Sequence, residues 1–179
     1  MKIAIDLDSV QSHFLPKWVK RYNEIYRDNL DYLDILDWDI SKFTVKCTKK
    51  QLYDILSEDN FFSNIEPVEG AFEVIEKLRA NKHDVVTVTA YFPEVCIDKS
   101  IWLRLYHGFK KDDIMFCNKK YFISADLLLD DGAHNFKGFN GIKVLYDSPH
   151  NQDTPEYEYD IRVHTWREFE IYCRLNGIL

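Results

Sequence analysis

The sequence predicts an α/β protein: a parallel sheet with helices on both faces and a small helical cap inserted after the first strand. Three observations carry this. From residue 67 onward, short apolar runs that read as buried strands alternate with helical segments. A helical stretch separates the first apolar run from the rest. Three runs also end in polar groups, Asp6 and Asp8, Thr87 and Thr89, Asp130 and Asp131, at the carboxyl ends where open parallel sheets bind ligands.

The opening segment from Lys2 to Asp8 reads as a buried strand, apolar until its acids begin. A helix is predicted from Pro16 to Arg27, where Trp18, Val19, Tyr22, Ile25 and Tyr26 recur at three-and-four spacing behind a proline suited to a first turn. A loop rich in Asp and Leu, Leu30 to Phe43, leads to a second helix with Thr48 as N-cap, carrying Leu52, Tyr53, Ile55 and Leu56. Gly70 to Ala80 reads as a helix with Phe72, Ile75 and Leu78 on one face, and Asp84 to Ala90 as a strand. A helix from about Glu94 to Tyr106 precedes strands at Ile114–Cys117, Ala125–Asp131 and Ile142–Tyr146, and a last helix runs from about Thr165 to Leu175. The predicted organisation is one domain over residues 1–179, with a core of about 1–14 and 66–179 and a helical cap of about 15–65.

A chain of 179 residues can bury about 70% of its unfolded surface in a single core. With 46% hydrophobic residues, 12 Phe, 11 Tyr and 4 Trp, it is globular, not disordered. The net charge of -7, with no basic run longer than two, disfavours a long polyanion or an anionic membrane as partner. Cys47, Cys96, Cys117 and Cys173 form no C-x-x-C pair, which argues for free thiols in a reducing compartment. Met1-Lys2 leads straight into a strand, and no apolar run reaches the roughly 18 residues of a membrane span. A cytoplasmic location is the expectation.

Four carboxylates and a threonine hydroxyl converging at one sheet edge repel one another unless a cation neutralises them. Oxygen donors without nearby His or Cys favour magnesium. Aspartates also end strands as plain turn formers or caps, but three strands doing so together favour a site. His134 and His150 read as surface-loop residues.

These residues carry a resemblance. Asp6-Leu-Asp8-Ser9-Val10 resembles the first motif of the haloacid dehalogenase (HAD) superfamily, an apolar strand followed by Asp-x-Asp-x-Thr/Val. Thr89 resembles the second motif, Lys120 the third-motif lysine, and Asp130-Asp131 the fourth. Asn60-Phe-Phe before Glu66-Pro67 and Gly70, Lys99 through Trp102 to Tyr106, Ser124 to Asp131, and Val144 to Gln152 with Arg162 to Trp166 narrow it. Over nearly the whole chain the sequence is similar to the 5′(3′)-deoxyribonucleotidases and their bacterial and phage relatives. Ser9 departs from the Gly or Glu common there, His13 from the Asp of some relatives, and residues 15–50 diverge.

The resemblance implies a HAD-like, Rossmannoid fold and a phosphatase of (deoxy)nucleoside monophosphates. Asp6 is then the nucleophile, forming an aspartyl-phosphate, and Asp8 the general acid. Magnesium is held by Asp6, the main-chain carbonyl of Asp8 and Asp131, with Asp130 one layer further out. Thr89, the Ala90 amide and Lys120 grip the phosphate, although Lys120 also reads as an exposed lysine beside Lys119. Phe14 and Trp38 are placed to sandwich the base, or else to pack in the core. The implied partner is a small nucleotide, with room for a homodimer and no polynucleotide. Two alternatives stay open: a HAD phosphatase of another small phosphomonoester, and a silent nucleotide-binding protein, which the intact Asp6, Asp8, Thr89, Lys120 and Asp131 set disfavours.

Overall fold

A computed structural model describes residues 1–107 and 110–179. Six parallel strands form one sheet, β1 (Lys2–Asp6), β2 (Asp84–Thr89), β3 (Ile114–Phe116), β4 (Leu127–Asp130), β5 (Ile142–Tyr146) and β6 (Ile161–Val163), in the order β3-β2-β1-β4-β5-β6. Ile5 pairs with Thr87 on one side and Leu129 on the other. This register brings the carboxyl ends of β1, β2 and β4 to one edge, with the first strand in the middle.

Alternation along β1 sends Ile3 and Ile5 to one face and Ala4 to the other. Ile3 and Ile5 join a buried cluster with Val74, Ile75 and Leu78 of α3 (Ala71–Ala80) and Trp166 and Phe169 of α5 (Trp166–Leu175). Ala4, Val88 and Leu128 pack on the opposite face against Phe136 and Phe139, around the 3-10 turn Ala133–Phe136. Helical segments cover both faces, as the sequence predicts. The cap residues gather separately: Leu15, Trp18, Val19 and Tyr22 of α1 (Phe14–Tyr26) bury with Leu52 of α2 (Lys49–Asp54) and with Ile35, Ile40, Ile55, Phe61, Phe62 and Ile65. Val95, just before α4 (Cys96–His107), joins them.

The predicted elements recur with shifted ends. Thr48 caps α2 through a reciprocal capping box with Gln51. The Asp- and Leu-rich loop holds two 3-10 turns, Tyr32–Asp34 and Ile40–Lys42, each capped by an aspartate side chain. Strand β1 ends at Asp6 rather than Asp8 because Gln11 and Ser12 donate their amides back to the Leu7 carbonyl at 2.9 and 3.1 Å, closing a turn. Ser9 sits in that turn at φ 62°, left-handed backbone that suits glycine better than serine. Strand β6 is an addition to the sequence reading.

The cap leaves and rejoins the core at one neck. His13 donates its amide to the Glu66 carbonyl at 2.8 Å and Val68 donates to Gln11 at 2.9 Å. The Trp166 indole donates to the Val10 carbonyl at 2.8 Å and the Trp102 indole to Ile65 at 2.7 Å, fixing both arms of the neck. Gly70 at φ 84° lies where an added Cβ would stand 3.2 Å from Trp166 Cβ. The four cysteines are free. Among the described residues no helix is long and apolar enough to cross a membrane.

Candidate active site

At the carboxyl edge of the sheet, Asp6, Asp130 and Asp131 are all buried and each offers a carboxylate oxygen within 4.8 Å of the others. Lys120 enters beneath them from the 3-10 turn Lys120–Phe122. Its Nζ stands 2.7 Å from Asp6 Oδ1 and 2.7 Å from Asp130 Oδ2. It is buried beside an exposed Lys119, so the solvent-facing alternative for this lysine does not hold.

The neighbouring aspartates are differently employed. Asp130 accepts from Lys120 with one oxygen, and from the Gly132 amide at 2.8 Å and Asn135 Nδ2 at 2.9 Å with the other. Asp131 instead lines the adjoining cavity, with His150 Nε2 3.3 Å from its Oδ2. Asn151 donates to the Asp131 carbonyl at 2.9 Å. Gly132 follows because an added Cβ would meet His134 Cε1 at 2.8 Å and Trp38 Cη2 at 3.1 Å.

Burial, with the neighbouring charges, raises the pKa of two of these acids, Asp6 and Asp131. Burial lifts Asp6 well above the usual carboxylate range; Lys120 pulls it back while Asp130, Asp131 and Asp8 push further up. Burial also raises Asp131, with His150 as partial counterweight. For Lys120 burial opposes the charge, but Asp130 and Asp6 outweigh it and hold its pKa above the ordinary lysine value. His150 likewise is raised, Asp131 overcoming the effect of burial. Buried carboxylates in excess of nearby cationic groups, with oxygen donors on the cavity side, suit a hard divalent cation.

Asp8 sits at the cavity edge. Its Oδ2 accepts from Lys99 Nζ at 2.5 Å and from the Thr89 hydroxyl at 3.4 Å, while Oδ1 is buried and accepts no hydrogen bond. Thr89 is fully buried with its hydroxyl committed to Asp8 and Lys99, whereas Ala90 lines the cavity. Thr87, grouped with Thr89 on sequence, turns away: its hydroxyl pairs with the Gln11 side chain at 3.1 Å. Asn118 accepts from the Tyr91 amide at 2.5 Å and so ties down the loop after Ala90.

The cavity, of about 310 Å³, is floored by Asp6, Asp8, Lys120 and Asp131 and walled by cap aromatics that include Phe14, Trp18, Trp38 and Tyr53. Phe14 has both placements that the sequence allows. It lines the cavity, yet its ring stacks on Phe62 at 5.7 Å and 11° and tilts on Trp18 at 5.4 Å. Trp38 is 54% exposed and is no core residue. Its indole meets the ring edges of His134 and His150 at 4.4 and 5.0 Å, bringing the cap onto the core above Asp131.

Residues 1–175 match the family model of the 5′ nucleotidase, deoxy (pyrimidine), cytosolic type C proteins. The chain belongs to this family. It is 35% identical over 172 residues to a 5′(3′)-deoxyribonucleotidase of Clostridium acetobutylicum, covering 96% of this chain and 93% of that one. A Bacillus subtilis 5′(3′)-deoxyribonucleotidase is 37% identical over 171 residues, with 94% and 95% covered. Among solved structures, a HAD family hydrolase from Deinococcus radiodurans R1 with bound phosphate and sodium superposes with a TM-score of 0.70 at 12% identity, covering 99% of this chain and 96% of that one. That likeness supports the HAD fold.

The sequence reading missed Lys99 and His150 as site residues. Lys99 had a signal: Val95, Trp102 and Leu103 are buried, and with Lys99 they fall at helical spacing on one face, so a lysine sits within an apolar stripe. His150 had none, because only the fold carries it to Asp131.

Proposed function

We propose that this family member is a magnesium-dependent phosphomonoesterase acting on (deoxy)nucleoside monophosphates, deoxy forms preferred, through an aspartyl-phosphate on Asp6. The observation that carries the reading is the buried Asp6, Asp130, Asp131 and Lys120 cluster at the floor of an aromatic-walled cavity. The relatives' names, 5′(3′)-deoxyribonucleotidase, support the substrate class. In this reading the core spans about 1–14 and 66–179 and the cap about 15–65, and the enzyme is cytoplasmic, which suits its free thiols.

The Asp6 and Asp131 carboxylates and the Asp8 main-chain carbonyl would hold the magnesium. Asp130, with its oxygens engaged by Lys120, Gly132 and Asn135, serves to fix Lys120. Magnesium, when bound, supplies the positive charge that lets a carboxylate approach a phosphate dianion. Lys120 and the Ala90 amide face the phosphate; Thr89, expected on sequence to join this grip, is buried behind them with its hydroxyl engaged by Asp8 and Lys99. In the first half-reaction an Asp6 oxygen bonds to phosphorus as the bond to the nucleoside oxygen breaks, and that oxygen takes its proton from Asp8. In the second, water bonds to phosphorus as the Asp6–phosphate bond breaks, and its proton goes to Asp8. Phe14 and Trp38 face the base. A small phosphomonoester without a base would leave these aromatic walls unused, which favours nucleotides.

The test is phosphate release with magnesium across ribo- and deoxyribonucleoside monophosphates. Activity should favour the deoxy forms, vanish in chelator, and be lost in Asp6→Asn. Full activity of metal-free protein, or of Asp6→Asn, would refute the mechanism; a best substrate without a base would refute the substrate class.

A further inference from the structure

Lys99 is 1% exposed and stands on α4, outside the main cavity. Both hydrogen bonds of its ammonium group go to the end of the site that holds Asp8. Nζ lies 2.5 Å from Asp8 Oδ2 and 2.8 Å from the Thr89 hydroxyl, with the Phe62 ring face 4.7 Å behind it. Leu7, Ser12, Ile65 and Trp102 close the rest of a small enclosed space around it. Burying a lysine on an otherwise apolar helix stripe is costly, and a buried ion pair is weak ground for stability. Its geometry suits an orienting role instead. Asp8 Oδ2 is held by Lys99, while Oδ1 is buried and accepts no hydrogen bond.

We infer that Lys99 is a positioning residue for Asp8: with Thr89 it fixes one carboxylate oxygen, and so sets the placement from which Asp8 serves the leaving oxygen of the substrate and later the attacking water. The inference rests on the reading of Asp8 as acid and base given above. Lys99 is absent from the cavity lining and from the Asp6, Asp130 and Asp131 cluster, so its loss should leave binding intact and impair only the steps in which Asp8 moves a proton.

The experiment compares Lys99→Met with Asp8→Asn on two substrates, a deoxynucleoside monophosphate and p-nitrophenyl phosphate, whose phenolate leaves without a proton. For Lys99→Met, kcat on the nucleotide should fall about 30-fold or more, short of the roughly 10²–10⁴ of losing the acid itself, with KM within about threefold. On p-nitrophenyl phosphate, rapid mixing should show a burst of one p-nitrophenolate per site at nearly the parent rate, followed by slow turnover, because attack by Asp6 is spared and the water step is not. Magnesium affinity, measured by calorimetry, should stay within about threefold of the parent. A raised KM with kcat preserved, a lost burst, or weakened magnesium binding would overturn the inference. Asp8→Asn should show the same pattern more deeply. If it does not, the reading of Asp8 falls and the inference with it; if it does while Lys99→Met behaves as the parent, only the role of Lys99 falls. Lys99→Gln, with a melt alongside, takes the place of Lys99→Met should that variant fail to fold, and is judged by the same criteria.

Discussion

Truncating Phe14 to alanine separates the ring packing it makes with Phe62 and Trp18 from the base stacking proposed for it. Removing a fully buried Phe costs ~3–5 kcal/mol. Phe14 is only partly buried, so about half of that, ~2 kcal/mol, is the expected loss from its contacts with Phe62 and Trp18. For a chain of this size such a loss lowers Tm by roughly 4–8 °C. Its share in binding follows from the surface left to the cavity. One ring face already lies against Phe62, so the stacking contribution belongs near the lower end of the ~1–3 kcal/mol range. About 1.4 kcal/mol is a tenfold rise in KM for a nucleotide. The assay is steady-state kinetics below the melting range on a deoxynucleoside monophosphate and on p-nitrophenyl phosphate, whose ring is too short to fill the base slot. The nucleotide KM should rise about tenfold while that of the aryl ester changes little. Equal losses on both substrates would reduce Phe14 to a packing residue and refute the stacking argument.

In chelator, Tm should fall as pH rises from about 5.5 to 8. Burial raises the folded-state pKa of Asp6 and Asp131, so their stabilising protonation is complete below the unfolded value near 4 and is lost as pH climbs through the raised values. His150, also raised, acts in the same direction above about 6.5. Asp6→Asn should make the slope shallower, and a Tm that climbs over this window would contradict the assignment. Trp38→Ala should leave Tm within about 2 °C, because the side chain is 54% exposed. Its nucleotide KM should nevertheless rise fivefold or more, an effect of roughly 1 kcal/mol; an unchanged KM would remove Trp38 from the base slot.

The core could be read from the sequence wherever an apolar run was long enough to show its period. Strand β5 has the predicted bounds, and α3, α5 and the Thr48 cap follow from periodicity and capping chemistry that operate within a few residues. Strand β6 escaped because it has three residues with Arg162 in the middle and only Val163 buried, too few for alternation to register. Helix α4 carries exposed Ile97, Ile101 and Leu105 opposite its buried face, and apolar residues on both sides hid the oddity of Lys99. The aspartate set was legible because acids at strand ends converge wherever the strands are parallel. The division of labour between Asp130 and Asp131 was decided by Gly132, Asn135 and His150, whose side chains and amides reach them only in three dimensions. Phe14 and Trp38 could not be assigned to core or cavity from type and spacing, since an aromatic residue suits both.

The neck at residues 11–13 and 66–68 bears on how such an enzyme changes its diet. His13 to Glu66 and Val68 to Gln11 are main-chain hydrogen bonds, indifferent to the side chains between which they run. Any segment that begins and ends at those two points can be spliced into the same sheet, and doubling its length adds only ~0.6 kcal/mol of closure entropy. The chemical floor on β1, β2 and β4 would be inherited intact while the aromatic walls above it were exchanged wholesale. A lineage built this way can acquire a new substrate in one recombination event, without passing through intermediates that have lost the power to cleave phosphate.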